Sequence, residues 1–476
     1  MIPASPIHPV LPGKAAAGRS ALAAGLVLGV VLVAFEALAV ATVLPQTAKD
    51  LNGIGLYGWV GSTFMLANLV GITAAGSSAD HRGPAPAFLI GCTLFAAGLV
   101  ICGTAPTMAV LVGGRAVQGL GAGCIAAVAY VGIGRAFDER ERPRMLAVLS
   151  SAWVVPGLVG PALAGTVAQY LSWRLVFLGL VPLAGVAVAA ALGPLRSLGP
   201  PPRDSAAATD GPRRVRQAVT LAIGAGLVLA VAQVRPVVVA PVVLAAGLAL
   251  GVPALGRLLP PGSFRAAPGV PAAVATRFLL TMGFFSADFF LPLTLTSVKG
   301  VGTAFAGISL TAGTLSWTAG AWLQARLAAR VDRRRLLTAG FAFVALGVGL
   351  AASLLLQPVP ALMAVIAWLV AGLGMGIAYS TITLVVLADA PPAQQGRATA
   401  SLQLADVLGA ALGTGIGGVF VAVGNNSGWS RTSALAFAFA TATLAALVGL
   451  AAAHRIGPRH AVDAEPEGSP VPAPPP

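Results

Sequence analysis

Fourteen stretches of about twenty apolar residues, each bounded by charge, Pro or Gly, make up most of this chain. A helix rising ~1.5 Å per residue needs about that length to cross the ~30 Å hydrocarbon core of a bilayer. The first six lie near 21–44, 57–79, 85–104, 107–134, 145–169 and 173–193. Two shorter ones follow near 217–233 and 237–259, and the last six lie near 270–297, 303–325, 336–356, 361–388, 399–424 and 431–453. Membrane strands run about ten residues and alternate in polarity, which these stretches do not. Only 9% of residues are charged and 57% are hydrophobic, too little polar surface for a water-covered exterior. Three Cys and little Lys or Glu exclude disulfide-rich, coiled-coil and disordered classes as well.

The charge that exists is lopsided, net +14. In a soluble chain that would suggest nucleic acid; in a membrane chain it reports cationic cytoplasmic loops. With the N-terminus inside, 22 of the 29 Lys and Arg fall on inward segments and five on outward ones. The remaining two, Arg115 and Arg277, lie within spans. This asymmetry predicts both termini in the cytoplasm and no nucleic-acid partner.

One internal repeat is more than shared hydrophobicity. AVQGLGAG at 116–123 recurs as LVAGLGMG at 369–376, an offset of 253. At that offset, without a gap, Arg144 falls on Arg397, Gly160 on Gly413 and Gly165 on Gly418. Spans four and five therefore match twelve and thirteen. The expected fold is an all-α membrane protein of two six-helix bundles in parallel orientation, with a two-helix insertion, as in alternating-access transporters. The division places a cytoplasmic tail at 1–20, the N-terminal bundle at 21–193 and a polar, Pro-rich linker at 194–216. An inserted hairpin at 217–262, the C-terminal bundle at 263–455 and a Pro-rich disordered tail at 456–476 complete it.

An ionised side chain at the bilayer centre costs ~2.5–3.5 kcal/mol on insertion scales, so the few present need a reason. Glu36 and Arg115 both sit roughly 9–12 Å below the outer surface of their spans, which permits a direct or water-bridged pair. Burial favours the neutral acid and a cation favours the anion, so such a carboxylate can bind and release a proton as its surroundings change. A static packing pair is the other reading. Asp288 lies within FFSADFF, between Phe284, Phe285, Phe289 and Phe290, a setting that suits a lipophilic cation, although Phe is also ordinary lipid-facing filler. Asp406 in the thirteenth span is a third acid for proton or substrate, or a hydrated one near the inner interface. Arg277 is expected to snorkel to the cytoplasmic face.

In the fifth span Gly157, Pro161 and Gly165 share a face, with Gly160 beside them; Gly409, Gly413 and Gly417 repeat the spacing. Small faces of this kind suit a contact between halves that opens and closes. GLGAG at 119–123 lacks the strand–turn–helix context of a dinucleotide loop, and no Walker lysine pattern is present. Cys92, Cys102 and Cys124 read as small hydrophobes, and the scattered His make no metal site. No cofactor, metal or enzymatic constellation is expected.

These residues resemble the major facilitator superfamily, and within it the fourteen-span drug:proton antiporters, over roughly 20–455. FEALAVATVLP at 35–45 is similar to that family's acid-containing first-span signature, with Glu36 where Asp is usual and Leu38 and Ala41 in place of Thr and Asn. GSSADHRG at 76–83 resembles the cytoplasmic loop motif through Gly76, Asp80 and Gly83. ARLAARVDRRR at 325–335 looks like its second copy, with Arg330 and Arg333. LVGGRAVQGLGAG at 111–123 matches the fourth-span motif, which implies a proton-handling role for Arg115. PGLVGPALAG at 156–165 matches the exporters' fifth-span motif through Gly157, Gly160, Pro161 and Gly165. SWRLVFL at 172–178 looks like the entrance to the sixth span. The resemblance implies a plasma-membrane antiporter, working as a monomer, that exports a small hydrophobic or cationic substrate against protons. A dedicated exporter of one metabolite or lipid, or a non-transporting sensor on the same scaffold, are the alternatives.

Overall fold

The computed structural model describes residues 12–138, 140–200, 207–234, 236–391 and 394–457. The chain is all-helical over them. The N-terminal half comprises α1 (Pro12–Asp50), α2 (Tyr57–Arg82), α3 (Pro84–Gly103), α4 (Met108–Ala136), α5 (Arg142–Ser151), α6 (Val154–Tyr170), α7 (Trp173–Leu178) and α8 (Val181–Ser197). A hairpin of α9 (Ala207–Ala230) and α10 (Ala240–Leu258) follows. The C-terminal half comprises α11 (Val270–Ser297), α12 (Thr303–Leu327), α13 (Arg333–Ser353), α14 (Met363–Asp389), α15 (Gln395–Asn426) and α16 (Arg431–Ala452). Local signals set several ends. Gly83, at φ 81°, closes α2, and Pro84 opens α3. Asp332 caps α13 by accepting the Arg334 N–H at 2.7 Å.

Twelve helical segments among the described residues are long and apolar enough to cross a membrane, and the chain is a multi-pass membrane protein. The fifth and tenth expected spans are the two outside that number. The stretch 145–169 breaks near Trp153 into α5 and the 17-residue α6, and α12 is diluted by its Ser- and Thr-rich SLTAGTLSWT. The first helix is longer than expected, from Pro12 to Asp50, and α9 begins inside the stretch read as a linker. Residues 1–11 and 458–476 of the two tails lie outside the described residues.

The repeat holds in three dimensions. In the N-terminal bundle α4 packs on α2 and α3, and α1 packs on α6 and α8. In the C-terminal bundle α14 packs on α12 and α13, and α11 packs on α15 and α16. Two seams, α6 with α12 and α2 with α15, join the bundles. Equivalent residues do equivalent work there. Gly165 of α6 faces the Thr303 carbonyl of α12, and Gly418 of α15 faces the Gly58 backbone of α2. Gly160 and Gly413 instead face the first helix of their own bundles, at Phe35 and Met282.

The seams are closed at the end carrying Asp50, Tyr57, Thr303 and Asn426. There the Tyr57 hydroxyl donates to the Phe289 carbonyl (3.3 Å), the Thr303 hydroxyl to the Gly165 carbonyl (3.0 Å) and the Ala304 N–H to Gln169 Oε1 (3.1 Å). Deeper down, the Ser62 hydroxyl donates to the Ala411 carbonyl at 2.9 Å. The hairpin breaks the symmetry. Its Leu221, Ala225 and Ala254 join Leu66, Leu69, Leu404 and Leu408 in one cluster covering the α2–α15 seam. On the α6–α12 side, Leu158, Leu163, Ile308 and Leu315 stay exposed on the surface expected to meet lipid.

Candidate functional site

Glu36 and Arg115 meet. The guanidinium Nη1 donates to Glu36 Oε1 and, at 2.8 Å, to Gln118 Oε1 one turn along α4. Its Nε donates to the Val60 carbonyl at 3.2 Å, and its carbon lies 4.0 Å from the Phe64 ring centroid. Both side chains are nearly inaccessible, 3% exposed for Arg115 and 1% for Glu36. Helices α1, α2 and α4 thus place one acid and one cation in a dry setting where Arg115 holds three partners besides the acid. Glu36 Oε2 accepts no hydrogen bond from the described residues.

A second ion pair joins two helices of the C-terminal bundle. Arg277 of α11 does not snorkel; it is turned inward, with Nε 2.6 Å from Asp406 Oδ1 of α15 and its carbon 3.1 Å above the Tyr379 ring. The Tyr379 hydroxyl donates to Asp406 Oδ2 at 2.9 Å, and Arg277 Nη1 donates to the Tyr379 carbonyl at 2.7 Å. Inward rotation is favoured because an available carboxylate and ring offset desolvation better than a long reach to the interface. Removing the cation alone strands the acid. We expect Arg277→Ala to lower stability by about 3 kcal/mol, at the low end for a broken buried pair because Asp406 is 19% exposed. Thermal unfolding of the single variant and of the Arg277→Ala/Asp406→Ala double variant checks this, since the double should recover much of the loss.

Asp288 accepts a hydrogen bond from the Trp368 indole at 2.8 Å. Phe284 stacks near Trp368 and Trp317 (centroids 6.0 and 5.7 Å), Phe285 lies 6.1 Å from Trp317, and Trp317 lies 5.4 Å from Tyr379. An unbroken aromatic path therefore links the Asp288 and Asp406 carboxylates. Asp288, Phe285, Trp317, Tyr379 and Asp406 are each partly exposed, unlike Glu36. Phe289 departs from the expected aromatic pocket. With Phe290 it packs on Tyr57 and across Gly61 in the seam, on the far side of α11 from Trp368.

Trp368, Tyr379, Trp317 and Gln118 went unmarked in the sequence. Trp368 was reachable, because at the repeat offset of 253 it stands where Arg115 stands in the first half. Each donates an N–H to an acid on the first helix of its own bundle.

The two loop motifs hold different partners. Asp80 is exposed, and among the described residues it makes no ion pair. In the second copy Arg333 forks onto Asp389 at 2.9 and 3.3 Å, tying the start of α13 to the end of α14, while Arg330 is exposed. Of the fifth-span motif, Gly157 meets Thr314, the Pro161 carbonyl meets Gly307 and Gly165 meets Thr303, so this face does join the two bundles. Gly409, Gly413 and Gly417 do not. They pack on α11 within their own bundle, where close approach to Phe278, Met282 and Phe290 is required.

The chain is similar in sequence or in fold to known proteins. A 28% identical chain of Mycobacterium tuberculosis, named a probable multidrug-efflux transporter, aligns over 92% of this chain and 94% of its own length. Multidrug resistance protein 3 of Bacillus subtilis is 30% identical over 34% of this chain and 32% of its own. Among solved structures, an auto-inhibited POT-family peptide transporter superposes with a TM-score of 0.67 at 16% identity, covering 94% and 98% of the two chains. A D-xylose–proton symporter does so at 0.62 and 14% identity, covering 91% and 96%. The family profile described as the Major Facilitator Superfamily matches residues 26–414 and 273–474. By that match across nearly its whole length, the chain belongs to the Major Facilitator Superfamily.

Proposed function

We propose that the protein is a fourteen-span proton-coupled antiporter that exports hydrophobic or cationic drug-like compounds across the plasma membrane, with both termini in the cytoplasm. The observation that carries the coupling is the dry Glu36–Arg115 pair, in which the guanidinium keeps other acceptors when the acid takes a proton. Counting α6 and α12 with the twelve apolar helices supports fourteen spans, and the placement of basic residues supports the orientation. The relative named a probable multidrug-efflux transporter supports the direction, and with the one named a multidrug resistance protein it supports the substrate class.

Protonation of Glu36 removes a buried charge and loosens α4 from α1. Deprotonation restores the ion pair. Alternating these states biases which end of the two seams is open, and Asp288 and Asp406 exchange substrate or a second proton, a role that their partial exposure supports. The electrical part of the proton gradient supplies about 2.3 kcal/mol per charge per 100 mV. The protein acts as a monomer, without a cofactor. Purified protein in liposomes is expected to accumulate lipophilic cations against their gradient only when a proton gradient is imposed, with protons moving the opposite way in step. Transport of the panel without any proton flux would sink the coupling. Leu38 and Ala41, which depart from the drug-exporter pattern, favour a dedicated metabolite or lipid exporter as the second reading. That exporter would move none of the panel.

A further inference from the structure

A cleft of about 840 Å³ opens where α13 begins and α16 ends. Arg330, Arg334, Arg335 and His454 form its mouth, and Ala339 and Ala342 its apolar wall. Asp332, the one acid among its described lining residues, is engaged by the Arg334 backbone N–H. Arg333 points away, into the bundle, where Asp389 neutralises it. A charge latch thus uses one arginine of the 333–335 run and leaves its two neighbours facing the cleft. Arg334 Nε and Nη2 lie 3.0 and 2.7 Å from His454 Nδ1. The guanidinium points at that ring nitrogen, and the contact pins the end of α16 to α13.

The apolar wall is continuous with the lipid-facing side of α13, where Ala339, Ala342, Phe343 and Leu346 are exposed. Small residues at 339 and 342 leave a trough between cationic rim and hydrocarbon. A soluble anion would be satisfied by the arginines and would leave that trough unused. A molecule with a phosphodiester at one end and acyl chains at the other fills both.

We propose that this cleft is a binding site for one anionic phospholipid. The phosphodiester is held by Arg334 and Arg335, with Arg330 and His454 at the rim, and an acyl chain lies over Ala339 and Ala342. The site rests only on the chain's being a membrane protein and is independent of the transport reading.

The test is native mass spectrometry of the purified full chain with phosphatidylglycerol or phosphatidylcholine. Wild type should retain one phosphatidylglycerol in preference to phosphatidylcholine. Arg334→Gln/Arg335→Gln should retain it about thirtyfold more weakly, and Arg213→Gln/Arg214→Gln, exposed cations on α9, should match wild type. Ala339→Leu/Ala342→Leu, which fills the trough without touching a charge, should also lose the lipid. Circular dichroism and a monodisperse profile show that each variant is folded; should the arginine pair fail this, the alanine pair decides. Unchanged retention in the arginine or the alanine variant overturns the proposal. So does displacement by millimolar inorganic phosphate, which would mark a site for a free anion.

Discussion

Proton-driven export should fall to the level of protein-free liposomes when Glu36 is replaced by Gln, while folded protein is recovered at the wild-type yield. Gln is nearly isosteric and still offers an oxygen to Arg115 Nη1, so the protein still folds. What it lacks is the ability to gain or lose a proton. Arg115 retains the Val60 carbonyl, the Gln118 side chain and the Phe64 face, so the variant should resemble the protonated state at every pH. Two measurements separate loss of coupling from loss of transport. Uptake driven by an imposed pH gradient should vanish, whereas substrate exchange at equal pH should persist, because exchange needs no net proton movement. Arg115→Ala should behave differently. It leaves a buried carboxylate unpaired and costs about 3–5 kcal/mol, so stability falls along with transport. Gradient-driven uptake by Glu36→Gln at the wild-type rate would remove Glu36 from the coupling.

How far the sequence foretold this molecule depended on what physical signal each residue leaves. Glu36 and Arg115 stood out because ionised groups within apolar spans are rare and expensive, and their depths matched. Asp406 and Arg277 stood out for the same reason, yet their pairing was hidden. Residues 129 positions apart carry no local sign of sharing a face, and a long arginine near a helix end has two ways to satisfy itself. Trp368 left no signal of its own, since aromatic residues are common in membrane helices; only its place at the repeat offset from Arg115 marks it out once the structure is known. The asymmetry at the seams was equally silent. Nothing in the composition of residues 217–259 tells whether a hairpin lies apart or, as here, covers α2 and α15. Gly409, Gly413 and Gly417 misled because tight packing within a bundle and between bundles uses the same small residues.

The repeated glycine motif carries the largest expected effect on folding. Gly123→Val and Gly376→Val should each abolish recovery of monodisperse protein. Spacing shows why. Gly119 and Gly123, four residues apart on α4, sit against the Phe64 and Asn68 carbonyls of α2, while Gly121 between them sits 2.5 Å, as measured from an added Cβ, from the Gly91 carbonyl of α3. In the second half Gly372 and Gly376 sit against the Gly313 and Trp317 carbonyls of α12. Gly374 stands at the same 2.5 Å from the Gly340 carbonyl of α13. Each motif thus wedges one helix between two neighbours at backbone contact. The atoms an added side chain would meet are main-chain carbonyls, which cannot swing aside as a side chain does. Helices in lipid associate mainly through such packing, so forcing them apart forfeits contacts along the whole crossing. The cost should exceed the roughly 1–3 kcal/mol of ordinary overpacking. Gly113→Val and Gly349→Val make the matched controls. They lie on the same bundles, carry the same change in helix propensity and meet nothing within 4 Å. Thermal unfolding and size-exclusion profiles of the four variants decide the matter. Equal midpoints for Gly123→Val and Gly113→Val would show that backbone contact is not what keeps the motif in both halves.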